Sequence, residues 1–330
     1  MHAGCGRQSG CMMETMLDIV ACTDRRNVMP TGVMMCSVCV NNPDVNIQFH
    51  VIADTDVTDE DCHDLADVAA PYGASVHFYR VDEQVLENPF PQVDNQITRA
   101  AYFRLYMTDI LPASMDRVLY LDGDVIVRHS LKEMWNMDLS GYALAATLDS
   151  RNETIDRFEG LGYSKSLGYF NSGVLLINLA YWREHQATKL FGEFLRDRWE
   201  TIRLHDQDVL NYVFREQKAW LPIKYNLQDG YLCKTPEYDV SRYGEEVIAA
   251  RRDPVIVHFT WNGKPWKYSY SPNPFRSSFY KYQKLTKWKG VFIDERPYSV
   301  RVRNIFGNIL RRMRILPWIG ARYMRIAPID

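Results

Sequence analysis

Apolar and polar positions fall into short alternating blocks over the first 270 residues. Residues 17–22 form a compact apolar run closed by a polar stretch, which predicts a buried strand opening into a loop. A helix is expected over 29–41 and a second strand over 47–54. Thr58 stands where an N-cap belongs, with Asp61 three residues on and Leu65, Val68 and Ala69 along one helical face. Pro71, Tyr72 and Gly73 end that helix, and 75–79 predicts a third strand. Further on, a helix is expected over 97–110, with strands over 117–122, 143–149, 169–179 and 254–259. Two helices are expected near 187–203 and 206–217. Strands alternating with helices at this spacing predict an α/β fold with a mostly parallel sheet and helices on both faces. In such sheets ligands bind at the carboxyl ends of the strands. Asp24, Asp122, Asp124, Asp149, Asn171 and His258 are therefore the first residues to consider.

Composition changes this picture little. The chain has 330 residues, 46% of them apolar and 24% charged, which excludes wholesale disorder, collagen and coiled coil. Charge distribution matters more than the total of -2. Residues 281–330 carry twelve Lys and Arg against three acids, a balance of +9, so the first 280 residues carry -11. Three parts are expected: a disordered extension over 1–16, one α/β domain over 17–290 and a basic amphipathic extension over 291–330. Within 300–314, apolar residues at 302, 305, 306, 309, 310 and 313 form a helical stripe opposite Arg301, Arg303, Arg311, Arg312 and Arg314. That pattern predicts a helix lying on an anionic membrane surface, the other reading being a helix docked on the body. No nucleic-acid recognition motif accompanies the basic segment. The first 16 residues lack the apolar core of a secretory signal, and the seven cysteines are an odd number. Reduced thiols and a cytoplasmic protein, peripheral on the inner face of the membrane, are expected. Cys36 and Cys39 form a C-x-x-C read as two small apolar residues in a buried helix.

Chemistry concentrates in two segments. Asp122-Gly123-Asp124 ends an apolar strand, and in a regular strand residues i and i+2 face one side, so both carboxylates can meet one hard cation. His258 lies six residues before Lys264 in a loop containing Gly263 and Pro265, which suits a third metal ligand and an ammonium for a diphosphate. The P-loop, dinucleotide, zincin and α/β-hydrolase motifs are absent from the sequence.

Six segments in order then carry a resemblance: DIVACTD (18–24), RAAYFRLYM (99–107), VLYLDGDVIV (118–127), YFNSGVLLINL (169–179), HDQDVLN (205–211) and HFTWNGKPW (258–266). Together they resemble glycosyltransferase family 8, the retaining family that includes lipopolysaccharide galactosyl- and glucosyltransferases and glycogenin. The resemblance implies a Rossmann-like GT-A fold and a metal-dependent transfer of glucose or galactose from a UDP-sugar to a glycan or glycolipid acceptor in cell-envelope polysaccharide synthesis. It implies Mn2+ or Mg2+ held by Asp122, Asp124 and His258, and a nucleoside contact through Asp24 and Arg26 or Asn27. It places Asp149, Asn171, Asp206 and Gln207 at the donor sugar, and Arg104, Gly123, Gly263 and Lys264 near the diphosphate. The catalytic set is then Gln207, Asp206 and Arg104. Trp261 stands where the family loop commonly has Gly, so it either changes the grip on the diphosphate or lines the acceptor side. An amide at 207 is a poor nucleophile, which favours front-face attack over a double displacement. A nucleotidyltransferase or a catalytically silent nucleotide-sugar-binding protein are the competing readings; a first loop with almost no glycine disfavours the former.

Overall fold

The computed structural model describes residues 16–81, 99–233, 239–267, 271–293, 298–313 and 315–316. The strands are β1 (Met16–Thr23), β2 (Asn46–Ala53), β3 (Ser75–Arg80), β4 (Arg117–Leu121), β5 (Val125–Val127), β6 (Leu144–Leu148), β7 (Phe170–Asn178), β8 (Lys218–Trp220), β9 (Leu227–Gln228) and β10 (Ile256–His258). The helices are α1 (Val28–Asn41), α2 (Asp59–Ala69), α3 (Ala100–Phe103), α4 (Met107–Ile110), α5 (Lys132–Trp135), α6 (Phe158–Leu161) and α7 (Leu179–Glu184). They continue with α8 (Ala187–Arg198), α9 (His205–Val213), α10 (Gly244–Arg252), α11 (Arg276–Gln283) and α12 (Tyr298–Arg312).

Seven strands form one sheet in the order β3-β2-β1-β4-β7-β6-β8. Every neighbouring pair is parallel except the two that involve β7. The mixed, mostly parallel sheet expected from the pattern is thus present. Period-two alternation divides the core: Ile19, Ala21, Leu119 and Leu121 face one apolar layer, and Val20, Val118 and Tyr120 the other. A second sheet, β5-β10-β9, stands beyond the end of β4 and carries His258.

Local chemistry explains several elements. Thr58 and Asp61 form a reciprocal capping box at the start of α2. α1 is buried almost all round, which accounts for its mostly apolar sequence, interrupted before its last residue only by Thr31, Gly32 and Ser37. It includes Cys36 and Cys39, both free thiols, and burial pushes the Cys39 thiol up to about 12.

Some expectations need correction. Met16, assigned to the extension, opens β1; residues 1–15 lie outside the described residues. The helix over 97–110 is interrupted by a 3-10 turn at Arg104–Tyr106, where Arg104 Nε donates to the Ala101 carbonyl at 3.0 Å as the side chain turns inward. The two helices expected to reach 203 and 217 stop at Arg198 and Val213. Ile293 N donates to the Trp266 carbonyl at 2.7 Å and ties 291–293 to the body that carries β10.

The last part of that body, 284–293, packs on α1 with Trp288 against Gly32. A methyl at Gly32 would stand 2.3 Å from Trp288 Cζ3. Gly32→Ala is therefore expected to lower stability by about 1–3 kcal/mol, read by urea unfolding. Alkylation at neutral pH should leave Cys36 and Cys39 unmodified in the native protein, because the thiolate is the reactive form.

Candidate active site

Asp122, Asp124 and His258 converge, but not as strand alternation predicted. β4 ends at Leu121, and Asp122–Asp124 form a tight turn closed by Val125 N to the Asp122 carbonyl at 3.3 Å. The turn, not the pleat, aims both carboxylates the same way. Gly123 allows it: a Cβ there would lie 2.5 Å from Thr31 Oγ1 on α1. His258 arrives at the end of β10, and ligand atoms of the three side chains lie within 4.8 Å of one another.

Two features fit this trio to a cation. Gly173 on β7 leaves the space between them, since a Cβ would meet His258 Cε1 at 2.3 Å and Asp122 Oδ2 at 2.5 Å. Asp124 Oδ1 is buried without a hydrogen-bond partner, although His258 Nε2 lies 3.0 Å away. A buried carboxylate oxygen facing a ring nitrogen without a hydrogen bond is a donor set for a metal. Burial raises the Asp124 carboxyl, but opposing charge, led by the Lys264 ammonium, holds it well below the usual carboxylate range. Lys264 Nζ sits 2.6 Å from Asp124 Oδ2.

Arg104 joins this trio to the next pair of residues. Its Nη2 donates to Asp122 Oδ1 at 2.9 Å, its Nη1 to the Ser172 carbonyl at 2.8 Å, and its Nε lies 3.2 Å from Asp206 Oδ2. The guanidinium also stacks 4.3 Å over the Tyr120 ring, whose hydroxyl donates to Asp122 Oδ1 at 2.7 Å. Burial pushes the Asp206 carboxyl up, with Arg104 pulling the other way. Gln207 Oε1 accepts from Ser172 N at 3.0 Å and Asn171 Nδ2 at 3.1 Å, while its Nε2 donates to Asp149 Oδ2 at 3.1 Å.

Asn171 was expected as part of a long strand and reaches the site by a route the pattern did not show. β7 runs against its neighbours, so its first residues, not its last, meet the carboxyl ends of β4 and β6. All these groups open on one cleft of about 880 Å³. Arg104, Asp122, Gly123, Asp124, Asp149, Asn171, Asp206, Gln207, His258, Lys264 and Asn27 line it. Asp24 and Gly263 do not. Asp24 Oδ1 instead accepts from Asn27 N and Asn27 Nδ2, each at 2.9 Å, and its buried Oδ2 has no partner. Gly263 offers its carbonyl to Ser271 Oγ at 2.6 Å. Trp261 lines the cleft, and its backbone N donates to Asp229 Oδ2 at 2.9 Å.

Asp208 is a residue whose importance the sequence did not isolate, though it stands inside the quoted motif. Fully buried, it accepts from Arg157 Nε and Nη2 at 3.1 and 2.9 Å, Tyr169 Oη at 2.6 Å, and Arg203 N and Leu204 N at 2.7 and 2.8 Å. Those bonds hold the turn into α9, where His205 takes φ 51°, and so aim Asp206 and Gln207 into the cleft.

The glycosyl transferase family 8 model matches residues 18–269. The chain belongs to glycosyltransferase family 8. Among similar proteins, general stress protein A of Bacillus subtilis is 28% identical over 284 residues, covering 84% of this chain and 96% of that protein. A lipopolysaccharide 1,2-glucosyltransferase of Escherichia coli K12 is 27% identical over 288 residues, covering 86% and 81%. The solved galactosyltransferase LgtC, in complex with donor and acceptor sugar analogs, superimposes with a TM-score of 0.73 at 25% identity, covering 87% of this chain and 100% of that one. This family 8 glycosyltransferase accordingly places its site at the strand ends of a GT-A-like sheet.

Removing Asp208 would leave Arg157 buried and unpaired. Asp208→Ala is expected to cost about 3–5 kcal/mol in a denaturant titration, far more than an exposed charge change.

Proposed function

We propose that this enzyme transfers a hexose, glucose or galactose, from a UDP-sugar to a glycan or glycolipid acceptor of the cell envelope, with retention and with a divalent metal. The observation that carries the reading is the Asp122–Asp124–His258 trio opening on the same cleft as Asp149, Asn171, Asp206 and Gln207. Relatives that include a lipopolysaccharide 1,2-glucosyltransferase and a lipopolysaccharide 1,3-galactosyltransferase support the choice of hexose and acceptor class.

Asp122, Asp124 and His258 would hold Mn2+ or Mg2+, which when bound acts as a Lewis acid on the leaving diphosphate. Lys264 neutralises Asp124 through the contact at 2.6 Å. Lys264 also lines the cleft and would supply its ammonium to the diphosphate, where negative charge develops. Asp24 orients Asn27, which lines the cleft and would meet the uridine moiety there. Asp149, Asn171 and Gln207 would orient the sugar.

A double displacement needs a free nucleophile on the opposite sugar face. Asp208 is fully buried with both oxygens engaged, Asp206 is held by Arg104 and Ser172 Oγ, and Gln207 is an amide. Front-face attack by the acceptor hydroxyl beside the departing phosphate therefore fits best, with a phosphate oxygen as base. The intact metal trio counts against a catalytically silent protein.

The basic extension would bring the active site to an anionic membrane at its cytoplasmic face. α12 leaves Tyr298, Ile305, Phe306, Ile309 and Met313 exposed, with Arg303 also exposed. The side chains of Arg301, Arg311, Arg312 and Arg314 and residues 317–330 lie outside the described residues. Among the described residues no helix is long and apolar enough to cross a membrane, so the attachment would be interfacial.

UDP release from UDP-glucose or UDP-galactose should require Mn2+ or Mg2+, and Asp124→Asn should lower kcat/KM by about 10²–10³-fold. Metal-independent release, or none from either donor, would overturn the reading. In flotation with phosphatidylglycerol vesicles the full chain should rise with the lipid and a chain ending at Ile293 should not; equal partitioning would refute the membrane role.

A further inference from the structure

We infer that Asn226 is a positioning residue that fixes which nitrogen of His258 faces the metal and ties that choice to the orientation of Gln207. Asn226 is fully buried and directly precedes β9, and no sequence motif marks it. The inference rests on the metal-dependent reading above.

Two backbone amides start the argument, because an N–H can only donate. Ser172 N donates to Gln207 Oε1 at 3.0 Å, which places the carbonyl of that amide. Gly173 N donates to Asn171 Oδ1 at 3.1 Å, which places the second carbonyl. Asn171 Oδ1 must then accept from Asn226, and Asn226 Nδ2 donates to it at 2.9 Å. This turns Asn226 Oδ1 toward His258 Nδ1, 3.0 Å away, so that ring nitrogen must carry the proton. His258 Nε2, left without a proton, lies 3.0 Å from Asp124 Oδ1. Two acceptors therefore stand close together, and buried Asp124 Oδ1 makes no hydrogen bond. A cation between them satisfies both.

The same bonds run onward to the sugar side. Asn171 Nδ2 donates to Gln207 Oε1 at 3.1 Å, and Gln207 Nε2 donates to Asp149 Oδ2 at 3.1 Å. Each amide has one orientation compatible with its neighbours, so the direction of the chain is set from β7 outward. Metal-ligating histidines ordinarily donate their second N–H to a fixed acceptor, which sets ring orientation and ligand basicity. Here that acceptor is also a donor to the residues around the sugar. Metal binding and the Gln207 amide are thereby coupled through four side chains in contact.

The two halves separate by substitution. Asn226→Leu removes both bonds. Asn226→Asp keeps an acceptor for His258 but cannot donate to Asn171. Three readouts apply to the full chain: the 15N–1H ring spectrum of metal-free protein at a pH where His258 is neutral, Mn2+ affinity from the free-ion electron paramagnetic resonance signal, and UDP-sugar turnover. We expect the wild-type proton on Nδ1. Asn226→Leu should mix the tautomers and weaken Mn2+ binding about 10–100-fold. Asn226→Asp should hold Mn2+ within a few-fold of wild type while kcat falls on the order of 10²-fold. A wild-type proton on Nε2 would overturn the inference, as would a folded Asn226→Leu that binds Mn2+ like wild type. If Asn226→Leu does not fold, the wild-type tautomer and Asn226→Asp decide. A wild type that binds no Mn2+ sinks the metal-dependent reading and the coupling with it. Mn2+ binding with an unaffected Asn226→Leu sinks the coupling alone.

Discussion

Mutual repulsion among aspartates is the constraint around which this site is arranged. Asp122, Asp124, Asp149 and Asp206 open on one cleft, the first three just after apolar strands and Asp206 in the first turn of α9. Like charges about 4 Å apart near a protein surface interact with roughly 4 kcal/mol each. The chain answers with dedicated partners: Arg104 between Asp122 and Asp206, Lys264 on Asp124, and Arg151 with Gln207 on Asp149. What these partners leave unsatisfied is informative. Asp124 Oδ1 and Asp24 Oδ2 are buried acceptors without a hydrogen bond, one at the metal trio and one at the first loop.

The reversal of β7 makes this arrangement geometrically accessible. Because it runs against β4 and β6, its opening residues Asn171, Ser172 and Gly173 stand at the carboxyl ends of the parallel strands. The backbone there becomes part of the site. Gly173 gives up its side chain to the metal trio, and its carbonyl accepts from Asp122 N at 2.8 Å, extending the β4–β7 pairing one residue past the strand. Asp208 performs the complementary task from the other side by clamping the turn into α9. Fully buried groups thus hold the turns, while Asp122, Asp124 and Asn171 remain partly exposed to the cleft.

Much of the site was legible along the chain because strands announce their ends. Apolar runs stop at Asp24, Asp122 and Asp149, and a parallel sheet collects such ends on one edge. The errors have physical causes. Strand alternation does not govern Asp122 and Asp124, since pairing ceases at Leu121 and a turn takes over. The 97–110 helix kinks because Arg104 turns inward to Asp122 and Asp206, partners distant in sequence. Asn226 carries no signal, being a single polar residue before a two-residue strand.

The sequence by itself determined the α/β class, the family membership carried by six ordered segments, the three residues that converge as a candidate metal site and the split between an acidic body and a basic extension. These depend on local pattern and residue type, which are written along the chain. Only the tertiary structure decided the direction of β7, the contact between His258 and Asn226 and the partners that compensate each buried aspartate. Those depend on which groups distant segments bring within hydrogen-bonding distance, and directional bonds a few ångströms long have no imprint on the periodicity of one chain.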